Sequence, residues 1–87
     1  MIIVDSLPDV YPAIKELILL LNKNQEQKII AEMLSYRMFH VSWTSSSELY
    51  MELVIVLNKV IGDGDNFSSE IVNQAEKIIK VINKNIK

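Results

Sequence analysis

The sequence predicts an all-α protein, a compact antiparallel bundle of about four helices that forms a single domain over residues 1–87. Four segments repeat apolar residues at spacings of three and four, the period of an amphipathic helix. Gly and Pro occur only twice each, so few residues interrupt long elements. Hydrophobic residues make up 49% of the chain, which indicates either a core dense in aliphatic side chains or an apolar surface that a partner covers.

The first helix is predicted from about Asp9 to Asn22. Asp9 is a plausible N-cap, and Pro12 then falls in the first turn, where no backbone hydrogen bond is lost. Leu19 lies opposite the apolar face, so we expect it to be exposed or to lie in an interface. The apolar face comprises Val10, Ile14, Leu17, Ile18 and Leu21.

The second helix is predicted from about Gln25 to Phe39, with Asn24 as its cap. Arg37 follows the apolar stripe by one turn, so we expect it to lie along the core edge or to pair with a carboxylate. The stripe comprises Ile29, Ile30, Met33 and Leu34.

The third helix is predicted from about Ser46 to Ile61. Ser45 and Glu48 form a capping box immediately before its hydrophobic run. The helix is apolar nearly all round, which predicts a position at the buried centre of the bundle. Its β-branched residues are also compatible with a strand, but the length of the segment, the capping box and Gly62 favour a helix.

The fourth helix is predicted from about Ser69 to Asn85, after a turn at residues 62–66. Ser68 is the expected N-cap, and Phe67 and Val72 are placed as a hydrophobic staple. One face carries Ile71, Ala75, Ile78, Ile79, Ile82 and Ile86, and an adjacent face carries Lys77, Lys80, Lys84 and Lys87.

Composition and charge exclude several classes of protein. The chain has no Cys, so it has neither disulfides nor thiolate metal sites, and no segment resembles a secretory signal or a membrane span. We therefore expect a cytoplasmic protein. Residues 1–75 carry five Lys and Arg against ten Asp and Glu, a net charge of −5, and residues 76–87 carry four Lys against one Glu, a net charge of +3. The acidic body favours a basic partner over nucleic acid.

No motif predicts catalysis, a metal or a cofactor. The one histidine, His40, has Ser42 and Ser45 nearby, but no local motif supplies the orienting carboxylate that a nucleophilic site needs. A calcium loop starting at Asp63 would place Phe67, Ser68 and Gln74 where an oxygen ligand, a glycine and a bidentate glutamate belong. We therefore do not expect an enzyme.

The residues that suit a binding surface lie on and around the third helix. Carboxylates lie at or near both of its ends, which is the composition of an interface hot spot when large aromatic residues lie close by in the sequence. These aromatic residues are Trp43, Tyr50, Tyr36 and Phe39. The same aromatic residues also suit a core. The predicted partner-binding residues are Trp43, Glu48, Tyr50, Glu52, Asp63 and Asp65.

The segment Met38-Phe39-His40-Val41-Ser42-Trp43-Thr44-Ser45-Ser46-Ser47-Glu48-Leu49, followed by an apolar helix, resembles a segment of small bacterial proteins of unknown function. The resemblance covers about residues 30–60. The whole chain is also similar in character to the immunity proteins of contact-dependent and bacteriocin-type toxin systems, which are small, cysteine-poor, often acidic and often helical. This resemblance implies a protein that covers and inhibits a toxin, most plausibly a nuclease, without catalysing a reaction.

Two other hypotheses remain open at the level of the sequence. One is a self-associating structural or assembly protein, a homodimer formed through Leu19, the segment Met1–Val4 and the third helix. The other is a module that binds nucleic acid or another anionic surface through Lys77, Lys80, Lys84 and Lys87.

Overall fold

Four α-helices account for most of the chain. They are α1 (Leu7–Asn22), α2 (Lys28–Phe39), α3 (Ser46–Gly62) and α4 (Ser69–Asn85), and a short 3₁₀ turn, Gly64–Asn66, lies between α3 and α4. The computed structural model describes residues 4–24 and 27–85, and all regular secondary structure in those ranges is helical. The predicted all-α fold with four helices is confirmed, and the strand alternative for the third segment is wrong.

The helices form a closed ring in which each packs mainly against two neighbours. α1 contacts α2 and α4, and α3 contacts the same two helices. Two hydrogen bonds define the antiparallel arrangement of α2 and α3. Gln27, at the start of α2, donates from Nε2 to the carbonyl oxygen of Asn66 just beyond α3 (2.8 Å), and Arg37, near the end of α2, donates to Glu52 near the start of α3 (3.3 Å).

One hydrophobic core fills the space between the four helices. All four contribute, and each fully buried aliphatic side chain stabilises the fold by about 1.5–3 kcal/mol. The largest side chains with no exposed surface are Ile14, Leu17, Leu21, Leu34, Leu53, Leu57, Ile78 and Ile82.

Helix α1 begins earlier than its sequence predicts. Ser6, and not Asp9, is the N-cap, and Asp9 is the third residue of the helix. The Asp9 carboxylate accepts hydrogen bonds from the backbone N–H groups of Asp5 (3.1 Å) and Ser6 (3.2 Å) and from the Ser6 hydroxyl. Pro12 consequently lies in the second turn, on the exposed side of the helix.

Helix α2 begins at Lys28, and Gln27 occupies its N-cap position instead of the predicted Asn24. The predicted start at Gln25 lies outside the described residues. The predicted stripe is wrong at one residue, because Ile29 is 68% exposed while Leu34 is fully buried. Ile29 lies about 100° from Ile30 around the helix axis, and Ile30 is the one that packs against the core.

Helix α3 begins where the capping box predicts, with Ser45 at the N-cap and its hydroxyl accepting from the backbone N–H of Glu48 (3.4 Å). The reciprocal contact differs, because the Glu48 carboxylate accepts from the hydroxyl of Thr44. The helix is also not the buried centre of the bundle, since one side is open to solvent and includes Met51 and Ile55.

The end of α3 does not need a glycine. Gly62 is the last helical residue, and the described chain has no glycine at positive φ. Asp63 ends the helix and donates its backbone N–H to the carbonyl of Lys59 (3.2 Å). The predicted glycine-based termination is therefore wrong in its mechanism, although the position is correct within one residue.

Helix α4 begins at Ser69 as predicted, and it is helical up to Asn85, the last residue that the structure describes. The Ser68 hydroxyl accepts from the backbone N–H of Ile71 (3.3 Å), as an N-cap does. Four predicted stripe residues are buried and Ile79 is half-buried, while the last, Ile86, lies outside the described residues together with Lys87. Lys77, Lys80 and Lys84 are exposed.

Candidate functional site

Exposed apolar side chains are distributed unevenly over the surface. Among the residues described, α2 exposes three large ones, α1 and α3 expose two each, and α4 exposes none. Clustered exposed apolar side chains are typical of binding surfaces, whereas scattered ones carry no such meaning. The set comprises Tyr11, Leu19, Ile29, Tyr36, Phe39, Met51 and Ile55.

Two shallow hollows lie on the side of the bundle formed by α2 and α3. The larger, of about 500 Å³, is lined by Ile29, Glu32, Met33, Ser35, Tyr36, Arg37 and His40. The smaller, of about 410 Å³, is lined by Trp43, Ser47, Glu48, Met51 and Glu52. We call these twelve lining residues together the α2–α3 face. It carries three carboxylates against one guanidinium, so it is acidic with the histidine neutral.

Arg37 joins the two hollows, because it lines the larger one and pairs with Glu52 of the smaller. Its Nε lies 3.3 Å from Glu52 Oε1, and its Nη1 donates to the carbonyl oxygen of Met33 at 3.1 Å. Both partners are partly exposed, so the ion pair itself contributes at most about 1 kcal/mol. The sequence expectation that Arg37 pairs with a carboxylate is confirmed.

The backbone of Arg37 also positions the segment that connects α2 and α3. Its carbonyl oxygen accepts from the Trp43 indole N–H at 2.7 Å. A half-buried tryptophan satisfies its one donor in this way while keeping part of its ring at the surface. The indole is thereby held against the end of α2 and forms one wall of the smaller hollow.

Aromatic rings continue from this face towards α1. The Tyr36 ring stacks on the imidazole of His40, with centroids 6.2 Å apart. Phe39 meets Tyr11 of α1 edge-to-face at 6.0 Å, and Lys15 lies over the Tyr11 ring at 5.7 Å. In the part of the chain that the structure describes, His40 has no carboxylate or hydroxyl within hydrogen-bonding distance of its ring.

The structure brings together three of the six residues predicted to bind a partner. Trp43, Glu48 and Glu52 line the smaller hollow. Tyr50 is half-buried and packs against the core, on a different side of α3 from the hollow.

The other two predicted residues are exposed but lie at the opposite end of α3. Asp63 accepts a hydrogen bond from the side chain of Asn66 at 2.7 Å, and Asp65 lies within the 3₁₀ turn. The part of α3 that follows Glu52, at about 1.5 Å per residue, separates them from the hollow.

The sequence predicts only part of the contribution of α2 to this face. It places Tyr36 among the aromatic residues that suit an interface, but it assigns Ile29 to the apolar stripe and does not mark Met51 as a candidate site residue. One signal was present: Ile29 and Tyr36 are seven residues apart, two helical turns, and therefore share one side of α2.

A scan against protein-family models found no match, and searches of curated proteins and of solved structures found none either. The resemblances drawn from the sequence therefore stay predictions. None of the helices, over the residues described, combines the length and the apolar character needed to cross a bilayer.

Proposed function

We propose that this protein binds a nuclease toxin through the α2–α3 face and neutralises it, as an immunity-type inhibitor in the cytoplasm. The observation that supports this proposal is the gathering of exposed apolar, aromatic and acidic side chains on α2 and α3. The described part of α4 exposes no large apolar side chain and carries both glutamates and lysines on its exposed side.

The mechanism is steric and electrostatic. A nuclease binds phosphates with lysine and arginine side chains, and carboxylates such as Glu32, Glu48 and Glu52 attract the same cations. Tyr36, Ile29 and Met51 supply the apolar anchors that such an interface needs at its centre. Because the inhibitor covers the cleft, it requires no chemistry of its own.

We expect a toxin domain to be encoded next to the gene for this chain, and the test uses that domain. Co-expression is expected to protect cells, and the purified protein is expected to inhibit the nuclease in proportion to the complex formed. Tyr36→Ala is expected to weaken binding by about 2 kcal/mol or more if Tyr36 is a central anchor. Leu19→Ala is the matched control, since it removes an exposed apolar side chain from α1, outside the face. A nuclease that stays fully active with excess protein would contradict the proposal.

Self-association is the second candidate, and the same exposed apolar residues favour it. However, the residues that the sequence suggests for a dimer interface do not form one continuous surface. Leu19 is 66% exposed on α1, which packs mainly against α2 and α4, while Val4 is buried in the core and residues 1–3 lie outside the described chain. A dimer would therefore form through α2 and α3. Sedimentation at micromolar concentration measures the mass in solution and distinguishes self-association from toxin inhibition, because a stable dimer would occupy the face that the toxin needs.

A further inference from the structure

We propose that the smaller hollow is a guanidinium site that takes an arginine side chain of the bound partner protein. This inference rests on the proposed function, and it adds the chemistry by which one end of the face recognises its partner. It follows from the shape of the hollow, from the fixed indole and from the orientation of two carboxylates.

The hollow combines the three kinds of group that a guanidinium contacts. Trp43 offers an aromatic ring, Glu48 and Glu52 offer carboxylates, and Met51 offers an apolar surface for the methylene groups of an arginine. Its volume of about 410 Å³ lies within the range of small-ligand sites. An acidic cluster alone attracts any cation, but an adjacent indole favours a planar one that can stack.

The indole wall is fixed before any ligand arrives. The hydrogen bond from Trp43 Nε1 to the carbonyl of Arg37 (2.7 Å) uses the only donor of the ring. A side chain already held in place loses less conformational entropy on binding than a free one.

The two carboxylates are also oriented by contacts within the chain. Glu48 and Glu52 are four residues apart, so they lie on one side of α3. Each uses its Oε1 atom for an internal contact, with the Thr44 hydroxyl and with Arg37 Nε respectively. A carboxylate has about four acceptor positions, so both retain capacity for an incoming guanidinium. Glu52 already accepts from one guanidinium, through the single contact of its Oε1 with Arg37 Nε at 3.3 Å.

The experiment uses Trp43 as its own reporter, since it is the only tryptophan in the chain. The full-length protein is titrated at low ionic strength with the capped peptide Gly-Arg-Gly, and in parallel with Gly-citrulline-Gly and Gly-Lys-Gly. We expect a saturable change in Trp43 fluorescence with the arginine peptide, a much weaker one with lysine and none with citrulline, which has the same shape without the charge.

Two matched variants locate the effect. Glu48→Gln is expected to weaken arginine binding roughly tenfold, which is the value of one charge-assisted hydrogen bond, and glutamine is also accepted at this position of a capping box. Glu70→Gln removes the same charge from the first turn of α4, outside the hollow, and is expected to leave binding unchanged. Circular dichroism shows whether each variant is folded.

The outcomes separate this inference from the proposed function. No saturable change with the arginine peptide, an equal response to lysine, or equal effects of the two variants would overturn the guanidinium site. Inhibition of the toxin by a wild-type protein that binds no arginine peptide would reject the site and keep the function. Arginine binding without any toxin inhibition would keep the guanidinium site and reject the proposed function.

Discussion

At the scale of single residues, hydrogen bonds between side chains and backbone groups hold the helix ends and connections in place more than ion pairs do. Trp43 bonds to the carbonyl of Arg37, Arg37 to the carbonyl of Met33, and the Asp9 carboxylate accepts two backbone N–H groups. The contacts of Trp43 and Asp9 satisfy groups at a helix end or in a connection, where the helix itself supplies no partner, whereas the Met33 carbonyl lies within α2 and accepts from the Arg37 side chain in addition. These residues therefore offer the sharpest single-site tests.

Asp9 is expected to titrate below the usual range of an aspartate. The backbone N–H of Asp5 contributes most to lowering its pKa, the N–H and hydroxyl of Ser6 add to this, and partial desolvation opposes it. A lowered pKa in the folded state stabilises the start of α1 above the unfolded pKa of about 3.9, and this contribution is lost as the pH falls through the folded value. Carboxyl NMR titration of Asp9 checks this expectation. A midpoint at or above the ordinary aspartate value of about 3.9 would contradict the hydrogen-bond arrangement.

Arg37→Ala is expected to lower the free energy of unfolding by about 1–2 kcal/mol, because it removes the pair with Glu52 and the hydrogen bond to Met33. It leaves the backbone carbonyl that holds Trp43 in place, so the tryptophan emission should change little. Lys80→Ala is the control, an exposed cation on α4 whose loss should change stability by less than about 0.5 kcal/mol. Urea denaturation followed by fluorescence and circular dichroism gives both values.

At the scale of elements, the sequence predicts a helix well where a capping residue precedes an apolar run. Ser45 and Ser68 give the starts of α3 and α4 at the correct residues. The start of α1 was placed too late because the pairing of Ser6 with Asp9 is itself a cap, and Asp9 was interpreted alone. The periodicity identifies each helix but not how much of its apolar side a neighbour covers.

The candidate site was less predictable than the fold for the same reason. That α3 has an exposed side with Met51 and Ile55 follows from the ring arrangement of the helices, which a single helix cannot reveal. Carboxylates at the two ends of α3 look equivalent in the sequence. The length of α3 separates Asp63 and Asp65 from Glu48 and Glu52, and the contacts of Arg37 on α2 with Trp43 and Glu52 bring the first end together as one hollow.

Gln27 provides a test of how the elements are joined. It is buried, and its side-chain amide links the start of α2 to the connection between α3 and α4 through the carbonyl of Asn66. Gln27→Ala is expected to lower the free energy of unfolding by about 1–3 kcal/mol, because a partly buried carbonyl loses its donor. Lys28→Ala, at the adjacent exposed position, should have little effect. If both variants unfold at the same denaturant concentration, this link does not contribute to stability.

At the scale of the whole molecule, stability and the proposed binding function reside in different residues. Leu53 and Leu57 are fully buried between the helices, and Leu57→Ala is expected to cost about 2–5 kcal/mol. Ile29 and Ile55 are 68% and 50% exposed, so a double change of both to Lys should leave the free energy of unfolding within about 1 kcal/mol of wild type.

The same double variant should lose binding to the partner, because it places two cations on or beside an acidic face that is proposed to meet a basic protein. Thermal unfolding and a binding titration on the same preparation check both expectations together. A large loss of stability would show that these side chains belong to the core. Unchanged stability with unchanged binding would place the partner on another side of the bundle, and the lysine-bearing side of α4 would then be the surface to test next, since it is the one with the opposite charge.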